Sequence, residues 1–115
     1  SAYERSRIAF RQAKLNYEAT LVRVEKEVRS QLNRLEKSQH RIELRKEQIR
    51  QAEGKLSLAQ SKFRYGMAGN FDLLEAQTEL KKGHVDLLSD VTGYIVGTYQ
   101  FRSILGTLLS RELNR

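Results

Sequence analysis

Apolar residues recur every seven positions through the first sixty residues, a spacing typical of a helix packed lengthwise against another helix. This row comprises Leu21, Val28, Leu35, Ile42, Ile49, Leu56 and Phe63. A companion row lies three residues after each of the first six: Val24, Gln31, Ser38, Arg45, Ala52 and Ala59. Small and polar residues predominate in this row, and they either let a neighbouring helix approach or face water. Residues 3–64 contain no proline and a single glycine, so the pattern predicts one continuous helix.

A glycine-containing break follows this helix. Two glycines within four residues interrupt the seven-residue rhythm, in the segment Tyr65, Gly66, Met67, Ala68, Gly69 and Asn70. Gly66 fits the left-handed position that ends many helices, and Asn70 or Asp72 can cap the helix that follows. We therefore predict helix 1 at about 3–64, a turn at 65–70 and helix 2 at about 71–112.

The second half of the chain repeats the seven-residue spacing. Its main row comprises Leu73, Leu80, Leu87, Tyr94, Phe101 and Leu108, and a second row comprises Leu74, Leu88, Ile95 and Leu109. Gly83, Gly93 and Gly97 lie inside this predicted helix, where each glycine costs about 1 kcal/mol relative to alanine. We expect that cost to be offset by the close approach of another helix.

A short turn makes the two helices antiparallel neighbours. Pairing Phe63 with Leu73 gives a register in which paired residue numbers add up to 136. The predicted seam comprises Leu35, Ile42, Ile49, Leu56 and Phe63 of helix 1 and Leu73, Leu80, Leu87, Tyr94 and Phe101 of helix 2. Two flanking charge pairs, Lys62 with Asp72 and Lys55 with Glu79, fit the same orientation. The fold class is therefore all-α, a long antiparallel two-helix coiled-coil hairpin formed by residues 1–115 as one unit.

Helix 1 is longer than helix 2, so about twenty N-terminal residues are left without a partner in the hairpin. Apolar residues in and next to this overhang are Ile8, Phe10, Leu15, Tyr17 and Leu21. Because a two-helix hairpin also encloses no core, we expect it to associate with copies of itself or with other parts of a longer protein. The start at Ser1, without an initiator methionine, is expected for a processed or excised segment.

Charge and chemistry narrow the range of functions. The net charge is +7, with a balance of +8 over residues 1–65 and −1 over residues 66–115, which favours pairing between the halves. The basic residues are interleaved with glutamates around helix 1, so nucleic acid binding is not expected. His40 and His84 lie on different helices, and no catalytic or phosphate-binding motif is present. We expect no metal, no cofactor and no enzymatic activity.

The residues around the turn carry a family resemblance. Residues 58–66 end in an aromatic residue and a glycine, and ten residues after Gly66 comes Ala76 of an Asp-x-Leu-x-Ala-Gln-like segment, residues 72–77. The order and spacing of these residues resemble the outer membrane efflux protein family (TolC-like), and the resemblance covers nearly the whole chain. Residues 104–108 look like the end of the second sequence repeat in members of that family. The Gly66-to-Ala76 spacing favours this family over the main alternative, a coiled-coil scaffold or the hairpin of a periplasmic adaptor protein.

The resemblance implies a fold and a function. Family members are trimers whose long helices form a periplasmic tunnel continuous with a β-barrel in the outer membrane of Gram-negative bacteria, through which drugs or secreted proteins leave. The hairpin would be a fragment of that helical barrel, in the periplasm, contacting the membrane only through parts that this chain lacks. The resemblance implies docking of a periplasmic adaptor, which links the channel to an inner-membrane pump, at the tip: Tyr65, Gly66, Met67, Ala68, Gly69 and Asn70.

Helix 2 carries five acidic residues broadly on one side: Asp72, Glu75, Glu79, Asp86 and Asp90. They either line a cation-attracting lumen or pair with the basic flank of helix 1. We favour pairing for Glu79 and Asp86. For Asp72 and Glu75 the resemblance implies a different role, narrowing the periplasmic entrance of the channel.

Overall fold

The structure, a computed structural model, describes residues 1–114 apart from the side chain of Glu112. It contains two helices, α1 (Ala2–Arg64, 63 residues) and α2 (Asn70–Leu113, 44 residues), and no strand occurs in the described residues. The predicted all-α hairpin is therefore confirmed. Neither helix contains, over the described residues, a stretch both apolar enough and long enough to cross a bilayer.

The described residues form two compact units, each drawing on both helices. One unit is Leu35–Tyr99 and includes the turn; the other combines Ser1–Arg34 with the chain from Gln100 onward. The assignment of residues 1–115 to a single domain stays a prediction.

The Leu35–Tyr99 unit is held together by a narrow seam between α1 and α2. Ile42, Ile49, Ala52 and Ala76 are its buried residues, each at most 9% exposed. Leu35, Leu56, Leu73, Leu80, Leu87 and Tyr94 are half-buried, whereas Phe63, next to the tip, is 46% exposed. The seam thus packs most tightly away from the turn.

The second row of the seam agrees with the sequence pattern on α1 and differs from it on α2. On α1 the small and polar companion residues face α2, because Ser38, Arg45, Ala52 and Ala59 are all half-buried or buried. On α2 the companion row consists of Ala76, Gly83, Asp90 and Gly97. The apolar residues Leu74, Leu88 and Ile95 lie outside the seam and are 52%, 68% and 49% exposed.

Two close approaches define the register. A methyl group added at Gly83 would lie 3.2 Å from Cγ1 of Ile49, and one added at Gly97 would lie 3.2 Å from Cδ2 of Leu35. Both pairs of residue numbers add up to 132, so the expected register of 136 is displaced by four residues, about one helical turn. The displacement arises because the large side chains of α1 lie over small residues of α2, which brings the backbones closer than opposed large side chains would allow.

The expectation that the glycines of α2 permit close packing is confirmed for Gly83 and Gly97, whereas α1 does not approach Gly93. No atom lies within 4 Å of a methyl group placed at Gly93, so close contact with another helix in this chain does not explain its presence. Gly83 and Gly97 share the row that faces α1, whereas Gly93 lies one row to the side.

The turn is closed by main-chain hydrogen bonds. Gly66 has a φ of 72° and is the C′ residue, as predicted. The Met67 N–H donates to the carbonyl of Lys62 at 2.7 Å, and the Gly66 N–H donates to that of Phe63 at 3.1 Å, the two bonds of a Schellman motif. The predicted cap at Asn70 or Asp72 is not formed, since neither side chain accepts a backbone N–H in the described structure.

The unit formed by Ser1–Arg34 and the chain from Gln100 onward has a shorter seam. Val24 and Val28 of α1 and Ile104 and Leu108 of α2 are half-buried. All residues from 1 to 19 are exposed, so the predicted N-terminal overhang is present. Its large apolar residues include Phe10, 72% exposed, and Ile8, 65% exposed.

Candidate functional site

The tip presents three large apolar side chains to its surroundings. Tyr65, Met67 and Phe71 are 74%, 75% and 76% exposed, whereas Ala68 between them is half-buried. Main-chain hydrogen bonds close the turn, so these three side chains are not needed to form it. Phe71 lies just after the segment that the sequence identified as the tip, and its exposure makes it part of the same apolar surface.

Asp72 and Glu75 follow on the first turns of α2, next to the tip. Both are exposed, and neither forms an ion pair within 4.0 Å with another described residue. The predicted pair of Lys62 with Asp72 is therefore not formed. Asp72 lies in the first turn of α2, where a negative charge interacts favourably with the helix dipole.

Glu79, Asp86 and Asp90 of α2 pair with α1. Lys55 Nζ lies 3.2 Å from Glu79 Oε1, as predicted, and this pair is largely exposed. Arg45 forms the second link: its Nε donates to Asp90 Oδ2 at 2.8 Å, and its Nη1 lies 3.5 Å from Asp86 Oδ2. The pairing predicted for Glu79 with the basic flank of α1 is confirmed, whereas Asp86 pairs with Arg45 of the companion row.

The Arg45 cluster, formed by Arg45, Asp86 and Asp90, lies inside the seam rather than beside it. The Arg45, Asp86 and Asp90 side chains are only 33%, 34% and 14% exposed. The hydrogen bond to Asp90 raises the pKa of the Arg45 guanidinium; burial opposes this rise, and the charges of Asp86 and Asp90 add to it. The sequence contained the signal for this cluster, because Asp90 lies seven residues from both Gly83 and Gly97.

The two sides of the Leu35–Tyr99 seam differ in chemistry. One side is a polar groove that includes Arg45, Lys55, Glu79 and Lys82. The other side is a groove with almost purely apolar walls, lined by Leu56, Leu80, Val85 and Leu88 together with Gln77, Lys81 and His84. The exposed row Leu74, Leu88 and Ile95 borders this second groove, and we call it the outer stripe of α2.

The described residues include no cluster of three or more potential metal ligands, and His40 and His84 lie on different helices, both exposed. The geometry therefore offers contact surfaces: an apolar tip, an acidic segment next to it, and an apolar stripe turned away from the partner helix. Together they define a class: a two-helix hairpin with exposed apolar side chains on its flank and at its tip.

A comparison with protein families assigns this hairpin more narrowly. The sequence model of the family described as outer membrane efflux protein matches residues 1–96. The chain therefore belongs to the outer membrane efflux protein family. Neither the curated proteins nor the solved structures gave a significant match.

Membership of this family implies a general function. Members are oligomeric outer-membrane efflux channels of Gram-negative bacteria, which work with adaptors and pumps and are not enzymes. The chain is accordingly a component of such a channel. The match favours the channel over the adaptor hairpin that the sequence left as the alternative.

Proposed function

We propose that this hairpin is a segment of the periplasmic tunnel of a trimeric outer-membrane efflux or secretion channel, with its tip docking the periplasmic adaptor of an inner-membrane pump. The observation that carries the proposal is the outer stripe of α2. Leu74, Leu88 and Ile95 lie at multiples of seven residues, with Lys81 in the remaining position, and are 49–68% exposed. They form a second helix-packing surface that α1 does not cover.

Two exposed leucines of α1 within the Leu35–Tyr99 unit lie on the opposite side of the hairpin. Leu44 and Leu58 are 53% and 56% exposed, and each directly precedes a residue of the companion row, which places it towards the side of the Lys55–Glu79 pair. A hairpin with apolar residues of α2 on one side and of α1 on the other is suited to head-to-tail lateral contacts. Such heterologous contacts close into rings, which is the arrangement that a tunnel wall needs.

Cysteine reactivity tests this arrangement, because the chain contains no cysteine of its own. Leu88→Cys, at a 68% exposed position, should react readily with a water-soluble maleimide in the isolated chain and should be protected in the assembled channel. Ser89→Cys, the next residue along α2, is also exposed but lies about 100° around the helix from Leu88, so it serves as the control and should react in both states. Equal reactivity of Leu88→Cys in chain and channel would contradict the tunnel assignment.

The tip supports the adaptor-docking part of the proposal. Met67 contributes its backbone N–H to the turn, but its side chain is 75% exposed, so Met67→Asp changes the contact surface and leaves the fold-back intact. We expect this variant to lose co-purification of the adaptor while the channel still assembles as a trimer. Retained adaptor binding at normal strength would show that docking does not use the tip.

Asp72 and Glu75 are proposed to narrow the periplasmic entrance through their unpaired negative charge. Replacing both with alanine in the complete channel should raise single-channel conductance or reduce the preference for cations, since fixed carboxylates attract cations and repel one another. The replacement Glu79→Ala is the matched control, because Glu79 is paired with Lys55. If both quantities were unchanged in the double variant, the entrance would lie elsewhere.

A further inference from the structure

Among the residues of the Leu35–Tyr99 unit that the structure describes, the Arg45 cluster places charged side chains within a seam of apolar and small residues. Elsewhere in the Leu35–Tyr99 unit, large residues of α1 lie over small residues of α2, as Ile49 does over Gly83. This arrangement repeats every seven residues on both helices. Sliding α2 by seven residues would place Ile42 over Gly97 and Leu56 over Gly83, which keeps the same large-on-small packing.

The flanking charges also fail to distinguish the two registers. In the observed register Lys55 pairs with Glu79 at 3.2 Å. After a slide of seven residues Lys55 would meet Asp86 instead, and Lys62 would meet Glu79. Exposed pairs of this kind contribute little to stability in either arrangement.

The tip can accommodate the same slide. Moving the register by seven residues shifts the point of fold-back by half that amount, from Gly66 to the neighbourhood of Gly69. Gly69 can then take the left-handed position that ends α1, and Asp72 becomes available as the cap of a shortened α2. Neither Asn70 nor Asp72 caps α2 in the observed structure, so no side-chain cap is lost by the change.

The Arg45 cluster does distinguish the registers. After the slide Arg45 would lie opposite Tyr94, and Asp90 would lie by Ile49, about one helical turn from Arg45 towards the tip. Because helical side chains lean towards the N-terminus of their own helix, Arg45 and Asp90 would then lean away from each other, and their hydrogen bond would be lost. We infer that Arg45 and Asp90 select the register of the hairpin against this specific competitor, which folds back at Gly69. A charged pair in a helical seam is well suited to this task, since its loss leaves a partly buried charge without a partner.

Cross-linking of cysteine pairs tests the inference in the full chain. Lys55→Cys with Glu79→Cys reports the observed register, and Lys62→Cys with Glu79→Cys reports the competitor. Each pair is placed in the native background and in Arg45→Ala/Asp90→Ala, in which alanine matches Ala52 and Ala76 of neighbouring layers. With a short thiol-to-thiol reagent, we expect the yield of the 62–79 link to rise about fivefold or more in the alanine background.

Two further variants make the outcome decisive. Glu47→Ala/Arg50→Ala removes an ion pair that lies within α1 and should leave the yields unchanged. Gly69→Ala, added to Arg45→Ala/Asp90→Ala, penalises fold-back at residue 69 and should lower the 62–79 yield again. The inference is overturned if the 62–79 yield in Arg45→Ala/Asp90→Ala does not exceed that of the Glu47→Ala/Arg50→Ala control. Asp90→Asn, close to aspartate in shape, replaces the double variant in this comparison if circular dichroism shows loss of helix.

Discussion

Replacing glycines of α2 with alanine gives three nearly identical perturbations in different surroundings. In a helix interior the replacement gains about 1 kcal/mol when nothing else changes. Gly93 has no atom within 4 Å of the added methyl group, so Gly93→Ala should raise the free energy of unfolding by that amount. This corresponds to a rise of roughly 4 °C in Tm for a chain of this size.

At Gly83 the same methyl group would lie 3.2 Å from Cγ1 of Ile49, closer than ordinary van der Waals contact. Overpacking of this kind costs about 1–3 kcal/mol. Ile49 is buried and stiff at its first side-chain torsion, so it yields little. Gly83→Ala should therefore leave the free energy of unfolding unchanged or lower it by up to about 2 kcal/mol. Gly97→Ala should fall in between, because its contact is the terminal Cδ2 of Leu35, which can rotate away.

Urea denaturation followed by circular dichroism at 222 nm measures these differences, with the denaturant slope checked for constancy across the series. The expected order of stability is Gly93→Ala, then Gly97→Ala, then Gly83→Ala. If Gly83→Ala stabilised the chain as much as Gly93→Ala does, close approach of α1 at Gly83 would be refuted, and with it the register of 132.

Three further outcomes follow from the structure. Ile49→Ala should lower the free energy of unfolding by about 2–4 kcal/mol in the same assay. Phe63→Ala should lower it clearly less, because Phe63 is 46% exposed. Equal losses would contradict a seam that loosens towards the tip. Lys55→Ala should cost less than about 1 kcal/mol, since its pair is exposed, and a larger loss would show that the pair is structural. The hydrogen bond from Arg50 lowers the pKa of Glu47. This ion pair therefore stabilises the fold fully at pH values above the ordinary pKa of glutamate, and the stabilisation is lost as the pH falls through the lowered pKa. A carboxyl NMR titration should place the Glu47 midpoint higher in Arg50→Gln than in the native chain, and identical midpoints would exclude the pair in solution.

Much of the fold was accessible from the sequence because seven-residue spacing and glycine placement are strong local signals. The fold-back at Gly66 and the Lys55–Glu79 pair follow from turn chemistry and from the order of charges along the helices. The register was not accessible in the same way. Matching large residues with large ones gives 136, whereas side chains such as Ile49 lie over glycine, which no pairing rule based on hydrophobicity alone anticipates.

The tip and the Arg45 cluster also differ in how far the sequence predicts them. The tip residues form one continuous segment, so the sequence identified them as a group, although it placed Phe71 in the following helix. The Arg45 cluster joins residues that are 41 and 45 positions apart. It becomes visible only once the companion rows of both helices are known to face each other, and that depends on how closely glycine lets the backbones approach.

The Schellman turn separates the shape of the tip from its surface chemistry. Its two closing hydrogen bonds join main-chain atoms only, and Gly66 alone requires a particular residue type. The side chains at positions 65, 67 and 71 are therefore free to be exchanged without refolding the bend. If the tip docks the adaptor as we propose, substitutions at these three positions would change which adaptor the channel binds and leave the shape of the bend unchanged.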